Sequence, residues 1–214
     1  MMDGTPHLAR PGEGTAAKRR RLVPADRRAE LVAAAIRILS RAEPQANWVS
    51  AVTREAGASK GTFYVYFPSW EHMLAEVRRQ IGWRASQPIV EALASTGAVD
   101  WWAVLERECV RFVEVALEFK AHHGLVFHSD LPVEMDPAPP SGAALLLSAL
   151  ERGIEQGIFR SVDAEAASEL LFAVMHAACD AVLAGGEPAR WIDASLEVAR
   201  GFLSPPAATT GDRR

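Results

Sequence analysis

The sequence predicts an all-α protein, with an N-terminal three-helix head that contains a helix-turn-helix and a larger helical bundle behind it. Three observations predict this. Apolar residues recur at helical spacing through most of the chain, and no segment alternates with the period of a strand or carries a hairpin signature. Residues 47–67, NWVSAVTREAGASKGTFYVYF, read as two short helices joined by a glycine turn. Charge is also split: the first 80 residues carry a net +5 and the remainder −9, a difference hidden by the overall −4. The basic part is the part with the two-helix unit, a combination that suits contact with a polyanion.

Composition bounds the rest. With 214 residues and 49% hydrophobic content, the chain can bury a core in one large or two small domains. No apolar run reaches bilayer length, the nearest being Ala143 to Leu147, and no apolar segment follows the N-terminal charges, so neither membrane insertion nor secretion is expected. Cys109 and Cys179 lie far apart in helical sequence. They form neither a disulfide framework nor a metal knuckle, which fits a cytoplasmic location.

Residues 1–22 hold Pro, Gly, Thr and the run Lys18-Arg19-Arg20-Arg21 with little to bury, and are expected to form a disordered basic arm. Its alternatives are a DNA-contacting arm and a solubilising tail. From about residue 26 to 42, Leu31, Ala34, Ala35, Ile38 and Leu39 fall on one face opposite Arg27, Arg28, Glu30, Arg37 and Arg41, which predicts the supporting helix of the head. In the two-helix unit, Val52 and Ala56 share a face, Gly57 supplies the positive φ that ends the first helix, and Ser59 caps the second. Lys60, Gly61 and Thr62 then occupy its first turn, where outward N–H groups favour an anion, and Gly61 lets a phosphate or base edge come close. Tyr64 and Tyr66 follow with hydroxyls that suit phosphates. Ser69 is expected to cap one long helix with Met73, Leu74, Val77 and Ile81 inside, running to the Ser95-Thr96-Gly97 break.

Asp100 is the expected cap of a helix that buries Trp101, Leu105, Cys109, Phe112, Ala116 and Phe119 and is interrupted near Gly124. A short apolar piece, residues 125–128, leads into residues 131–140, where four prolines predict an irregular loop. Residues 141–156 form the next expected helix, stopped at Gly157, and residues 163–184 another, stopped at Gly185-Gly186. The last helix places Trp191, Ser195, Val198 and Phe202 on one face before a disordered tail, residues 204–214.

The segment Ala56-Gly57-Ala58-Ser59-Lys60-Gly61-Thr62-Phe63-Tyr64-Val65-Tyr66-Phe67-Pro68-Ser69 resembles the N-terminal signature of TetR/AcrR-type bacterial transcriptional regulators, usually A-G-V-S-K-G-T-L-Y-x-H-F-x-S-K. Trp70 stands where that family has a phosphate-contacting lysine, Tyr66 replaces a histidine, Thr53 a small alanine, and Glu43-Pro44 the usual glycine. A weaker likeness covers residues 151–160 and Asp163, a junction before two long helices that in such regulators pair with a second subunit. The resemblance implies a helix-turn-helix DNA-binding domain at residues 23–69 and a helical ligand-binding and dimerisation domain at residues 70–203. It also implies a homodimeric repressor released from a palindromic double-stranded operator by a small apolar effector. The residues expected to face DNA are Ser50, Ser59, Lys60, Gly61, Thr62, Tyr64 and Tyr66, with Arg19, Arg20 and Arg21 of the arm.

Ala164, Ala166, Ala167, Ala173, Ala177 and Ala178 suit either a dimer seam or an internal core helix. The bulky residues Trp83, Trp101, Trp102, Phe112, Phe119, Phe127, Met135, Phe172 and Met175 suit either a filled core or a ligand cavity, with His176, Cys179 and Asp180 as polar anchors. The resemblance favours the cavity, lined by Trp83, Trp101, Phe112, Phe119, Phe127, Phe172, Met175, His176 and Cys179. No metal site is expected: His122 and His123 are adjacent and point apart on a helix, and His128 and His176 complete no ligand spacing. No cofactor fingerprint, nucleophile elbow or paired-carboxylate motif appears, and no enzyme is expected. A rival is a ligand-binding or interaction module of the same fold with weak or no operator binding, for which Trp70 is the best support.

Overall fold

The computed structural model describes residues 24–128 and 141–206, all in helices and their connections; the basic arm, the proline-rich loop and the C-terminal tail lie outside the described residues. Among the described residues nine α-helices follow in order: α1 Pro24–Leu39, α2 Trp48–Glu55, α3 Lys60–Tyr66, α4 Trp70–Ala85, α5 Gln87–Ala94, α6 Trp101–Glu118, α7 Gly142–Glu155, α8 Ala164–Leu183 and α9 Pro188–Leu203. A 3-10 turn, Lys120–His122, and a π-helical turn, Gly124–His128, follow α6.

Most boundaries follow from local chemistry. Asn47, Ser59, Asp100, Ser141 and Asp163 each accept a hydrogen bond from a first-turn N–H, offsetting the donors a helix start leaves unpaired. Gly57 ends α2 at φ +59°, where a side chain is strained. Leu31, Ala34, Ala35, Ile38 and Leu39 of α1 are all buried, as their spacing requires.

Four expectations are corrected. The long helix after Ser69 is two helices, because the chain turns at Ser86 and Pro88, which has no N–H to continue the ladder, opens α5. Ser69 precedes α4 without a side-chain cap bond; its hydroxyl pairs with His72 Nδ1 at 3.1 Å. Helix α6 ends at Glu118, before Gly124, because the chain swings at the fully buried Phe119 into the 3-10 turn. On α9 the inner stripe is Ser195, Leu196, Ala199 and Leu203, while Val198 is 49% exposed. Both sides of α9 are apolar, and i, i+3/i+4 spacing admits either register.

Helix α8 is also long and apolar enough, by length and composition, to cross a membrane, with a mean hydropathy of 1.5. Its alanines raise the average although no short run stands out. In this fold one side of α8 is buried against α6, α7 and α9, and 39% of the apolar window is buried.

One apolar cluster joins the head to α4 and continues into α6, α8 and α9; a second fills the space among α5 to α9. The link between α1 and α4 is ionic as well. Glu76 of α4 is buried and bound by Arg79 and by Arg28 of α1 at 3.2 Å, and the Arg28 guanidinium also lies 4.9 Å from the centroid of the Phe67 ring at the end of α3. Burial opposes ionisation of Glu76, but hydrogen bonds from Arg79 and Arg28 and their charges outweigh it and hold the carboxyl at about 2. Glu76 thus fastens α4 to α1, and Arg28, held by it, reaches the end of α3.

A second buried acid works in the opposite sense. Glu108 of α6 faces the α4–α5 junction, and its Oε2 has no hydrogen-bond partner among the described residues. Burial pushes its carboxyl up to about 7, with Ser86 and the Ile89 backbone only partly opposing the shift. The folded state therefore holds this proton more tightly than the unfolded chain does. The resulting stability is present below the ordinary value of 4.5 and is lost as pH rises through about 7. Wild type should lose roughly 3 kcal/mol across that window from this group, at 1.36 kcal/mol per unit of pKa. Glu108→Gln should flatten that part of the curve, and thermal melts from pH 4.5 to 8 on both proteins are the check.

Candidate nucleic-acid interface and effector region

Helix α3 presents two faces of different character. Phe63 and Phe67 are fully buried, with ring centroids 5.7 Å apart, and fix the helix on the head. Gly61 and Val65 lie on the opposite side, and Lys60 and Tyr64 lie between them and the buried face; both rows are exposed and one turn long. Tyr64 is 55% and Val65 77% exposed. Ser59 Oγ accepts from the Thr62 N–H at 3.0 Å and pairs with Thr62 Oγ1 at 2.9 Å, which orders the first turn. A methyl group added at Gly61 would meet only Ser59 Oγ, at 3.7 Å. Packing in the head therefore does not require this glycine, and its outer side stands open.

Of the other residues expected here, Ser50 is half-buried and gives its N–H to Asn47 Oδ1 at 2.8 Å. Tyr66 is half-buried and packs against the head core. Arg19, Arg20 and Arg21 lie outside the described residues. Val65, not anticipated from sequence, is the largest addition to the outer face; an apolar side chain there can meet a thymine methyl. Thr53, in place of a small alanine, is buried with its hydroxyl donated to the Val49 carbonyl at 2.9 Å, so its polarity is satisfied inside α2.

Trp70 turns inward. Its ring stacks on Trp48 with centroids 5.5 Å apart and 11° between planes, and His122 meets the other tryptophan edge-on at 5.0 Å. His122 Nδ1 also donates to the Leu39 carbonyl at the end of α1 at 3.0 Å. The turn after α6 thus touches both α1 and α2 of the head, while Arg78 of α4 donates to the Leu125 carbonyl at 3.2 Å.

The residues expected to line a cavity do not gather around one. Trp83 is 45% exposed on α4. Trp101 is buried near the far end of the bundle, its indole N–H donated to Gln156 Oε1 at 2.7 Å. Phe112, Phe172 and His176 do come together, with centroids 4.4 to 5.6 Å apart. Phe119 is fully buried in the core and Phe127 packs on His123 instead. Cys109 and Met175 border a void of about 20 Å³ with Leu105, Leu146 and Leu196, space for about one water. A ligand entering there must part α6, α8 and α9. Cys179 is buried, and desolvation pushes its thiol up to about 12, which leaves it unreactive. An open groove of about 790 Å³ lies between α5 and α6, flanked by Glu91, Glu106, Arg107, Arg111 and Glu114, and none of the expected residues lines it.

The histidines separate as their adjacency requires, His122 toward the head and His123 toward α8. His123 lies 3.8 Å and His128 3.1 Å from the same Asp180 oxygen. Desolvation and the neighbouring His128 lower the pKa of His123, against an opposing pull from Asp180. The sequence carries no sign of this convergence, which depends on the π-helical turn and on where α8 passes.

Residues 31–77 match the model of the tetR family of bacterial regulatory proteins. No curated protein matches the chain. Among solved structures, the reduced form of NemR from E. coli superposes with a TM-score of 0.60 at 21% identity, over 85% of this chain and 100% of that one. The fatty acid degradation regulator FadR from Bacillus halodurans gives 0.62 at 18% identity, over 81% and 97%. RolR in complex with resorcinol gives 0.56 at 22% identity, over 86% and 91%. These likenesses carry the fold across the whole helical body, and the family match carries the head. With α2 and α3 forming a capped helix-turn-helix inside residues 31–77, the head matches the tetR family of bacterial regulatory proteins, and the body behind it shares the fold of these solved regulators.

Proposed function

We infer that this regulator is a homodimeric repressor that binds a palindromic operator through the outer face of α3 and leaves it when an effector binds the helical body. The observation that carries the first part is the two-sidedness of α3. Its buried phenylalanines fix the helix, Tyr64 sets its ring edge-on to Phe63 at 5.3 Å yet stays 55% exposed, and Lys60, Gly61 and Val65 stand exposed beside it. Lysine can donate to guanine O6 and N7, tyrosine hydroxyls suit phosphates, and the open side of Gly61 admits close approach.

A dimer is supported by an apolar strip that the single chain leaves uncovered. On α8, Ala166, Leu170, Ala173 and Ala177 recur on one exposed face, and Leu170 is 61% exposed; Ala194, Val198 and Gly201 do the same on α9. Two such faces related by a twofold axis make an isologous four-helix seam. The two α3 helices would then reach half-sites about 34 to 36 Å apart, or a multiple of that.

The Glu76 clamp and the Trp48–Trp70–His122 contact offer the route from body to head. An effector that favours one placement of α4 or of the turn after α6 shifts the head by its differential affinity for the two placements. RolR, with resorcinol bound, is a relative in fold that holds a small aromatic molecule, which supports a small-molecule effector here. The domain division at residues 69 and 70 is retained as the functional one: head for DNA, body for effector and partner. The inward Trp70 favours the rival, a body that keeps the fold without operator binding, because no phosphate contact comes from that position.

Selection of bound fragments from a random DNA library by the full chain decides between them. A palindromic consensus with half-sites spaced by a helical turn or a multiple supports the repressor; enrichment of no sequence supports the rival.

A further inference from the structure

We propose that His123, His128 and Asp180 form a site for one divalent transition-metal ion of the zinc class, and that its occupancy acts on the DNA-binding head through His122. The three donor atoms lie within 4.8 Å of one another. Donor atoms around one zinc ion, at bonds of about 2.0 to 2.1 Å in tetrahedral geometry, stand roughly 3.3 Å apart. His128 Nε2 and Asp180 Oδ1 are already 3.1 Å apart and His123 Nδ1 and Asp180 Oδ1 3.8 Å, so closing the set takes side-chain shifts of about a bond length.

The backbone explains why the two histidines meet. Five residues apart on an α-helix, at 100° per residue, side chains diverge by about 140°. The turn Gly124–His128 is instead π-helical, with i to i+5 pairing, and places the His123 and His128 rings 4.9 Å apart. Asp180 arrives from α8, so the donors come from two separate parts of the chain. His123 is largely buried, with 12% of its side chain exposed, whereas His128 and Asp180 are about half exposed, 45% and 52%. An ion can therefore enter from solvent while one imidazole is held in place. Two imidazoles and one carboxylate suit zinc, nickel or cobalt better than magnesium or calcium, and leave a coordination position for water or a small ligand. His176 sits one turn before Asp180 on α8. Its Nδ1 donates to the Phe172 carbonyl at 3.0 Å, which leaves Nε2 unprotonated when the ring is neutral.

The site is built into the segment that touches the head. Residue 123 binds the ion, and residue 122 donates to the Leu39 carbonyl and packs on Trp48. Metal at His123 and His128 would tie this segment to α8 and so bias the contact with α1 and α2. That consequence for DNA rests on the operator-binding function proposed above; the metal site itself does not.

The test uses the tag-free full chain, stripped with chelator, in zinc titrations against a chromophoric chelator and in cobalt(II) absorption spectra. Wild type should take up one zinc per chain, show the cobalt d–d bands of a four- or five-coordinate site, and melt at higher temperature when loaded. His128→Ala and Asp180→Asn, both at half-exposed positions, should fold as wild type yet bind at least about a hundredfold more weakly. His72→Ala, which leaves the cluster intact, should bind zinc as wild type does. Zinc uptake weaker than about 1 mM by wild type, or equal uptake by the two cluster variants, overturns the site. Zinc should also shift wild-type affinity for the selected DNA fragment and leave that of Asp180→Asn unchanged; equal affinity of loaded and stripped wild type overturns the coupling. If no DNA is bound in either form, the operator function fails while the titration still stands.

Discussion

Ala177→Glu should turn the proposed homodimer into monomers and remove operator binding. Ala177 is exposed on the outer face of α8, in line with Ala166, Leu170 and Ala173, so a glutamate there disturbs nothing within one chain. In an isologous seam it places a carboxylate on each side of the twofold axis, and an unpaired buried charge costs about 3 to 5 kcal/mol. Two copies face one another, which is enough to dissociate a seam of ordinary size. Monomers hold one half-site at a time and lose the gain in effective concentration that links the two heads. Leu170→Lys should act in the same way from a position two helical turns away. Size-exclusion chromatography with light scattering, followed by operator titration, is the measurement; a variant that stays dimeric at full affinity moves the seam elsewhere.

Lys60→Ala should cost about 1 to 3 kcal/mol of operator affinity and relax the preferred sequence at one base pair of each half-site. The side chain is exposed, so stability should not move beyond the scatter of surface substitutions, about 0.5 kcal/mol. Tyr64→Phe provides the contrast. Its hydroxyl suits a phosphate, so the loss should be spread evenly over sequences. If Lys60 instead meets a phosphate, the slope of log affinity against log salt should fall by about one and the consensus should stand. Unchanged affinity and consensus would remove Lys60 from the interface altogether.

What was legible in the sequence was what short-range chemistry decides. Gly57 and Ser59 mark the turn because a positive φ and an N-cap each need particular side chains at one position, and Asp100, Ser141 and Asp163 mark helix starts for the same reason. The α4–α5 break was not legible. Ile81, Ala85 and Ile89 keep the apolar period running, and Pro88 sits where a first helical turn tolerates it. The inner side of α9 was misplaced because Trp191 and Val198 compete with Leu196, Ala199 and Leu203 for the core, and only packing against α8 decides. Expected pocket residues such as Trp83 and Trp101 were chosen for bulk, which says how much surface a residue can bury and nothing about where a space is left. The approach of His123 and His128 to Asp180 combines a π-helical turn with a contact some 50 residues away in sequence; neither leaves a spacing pattern to read.

The central claim is that the outer face of α3 reads a DNA sequence. Its most direct test is the ratio of affinities of the wild-type chain for the selected palindromic fragment and for the same fragment scrambled, measured by fluorescence anisotropy at physiological salt. Sequence readout by α3 requires a ratio of about a thousandfold or more, with both affinities falling steeply as salt rises. Equal affinity for the two fragments would contradict it.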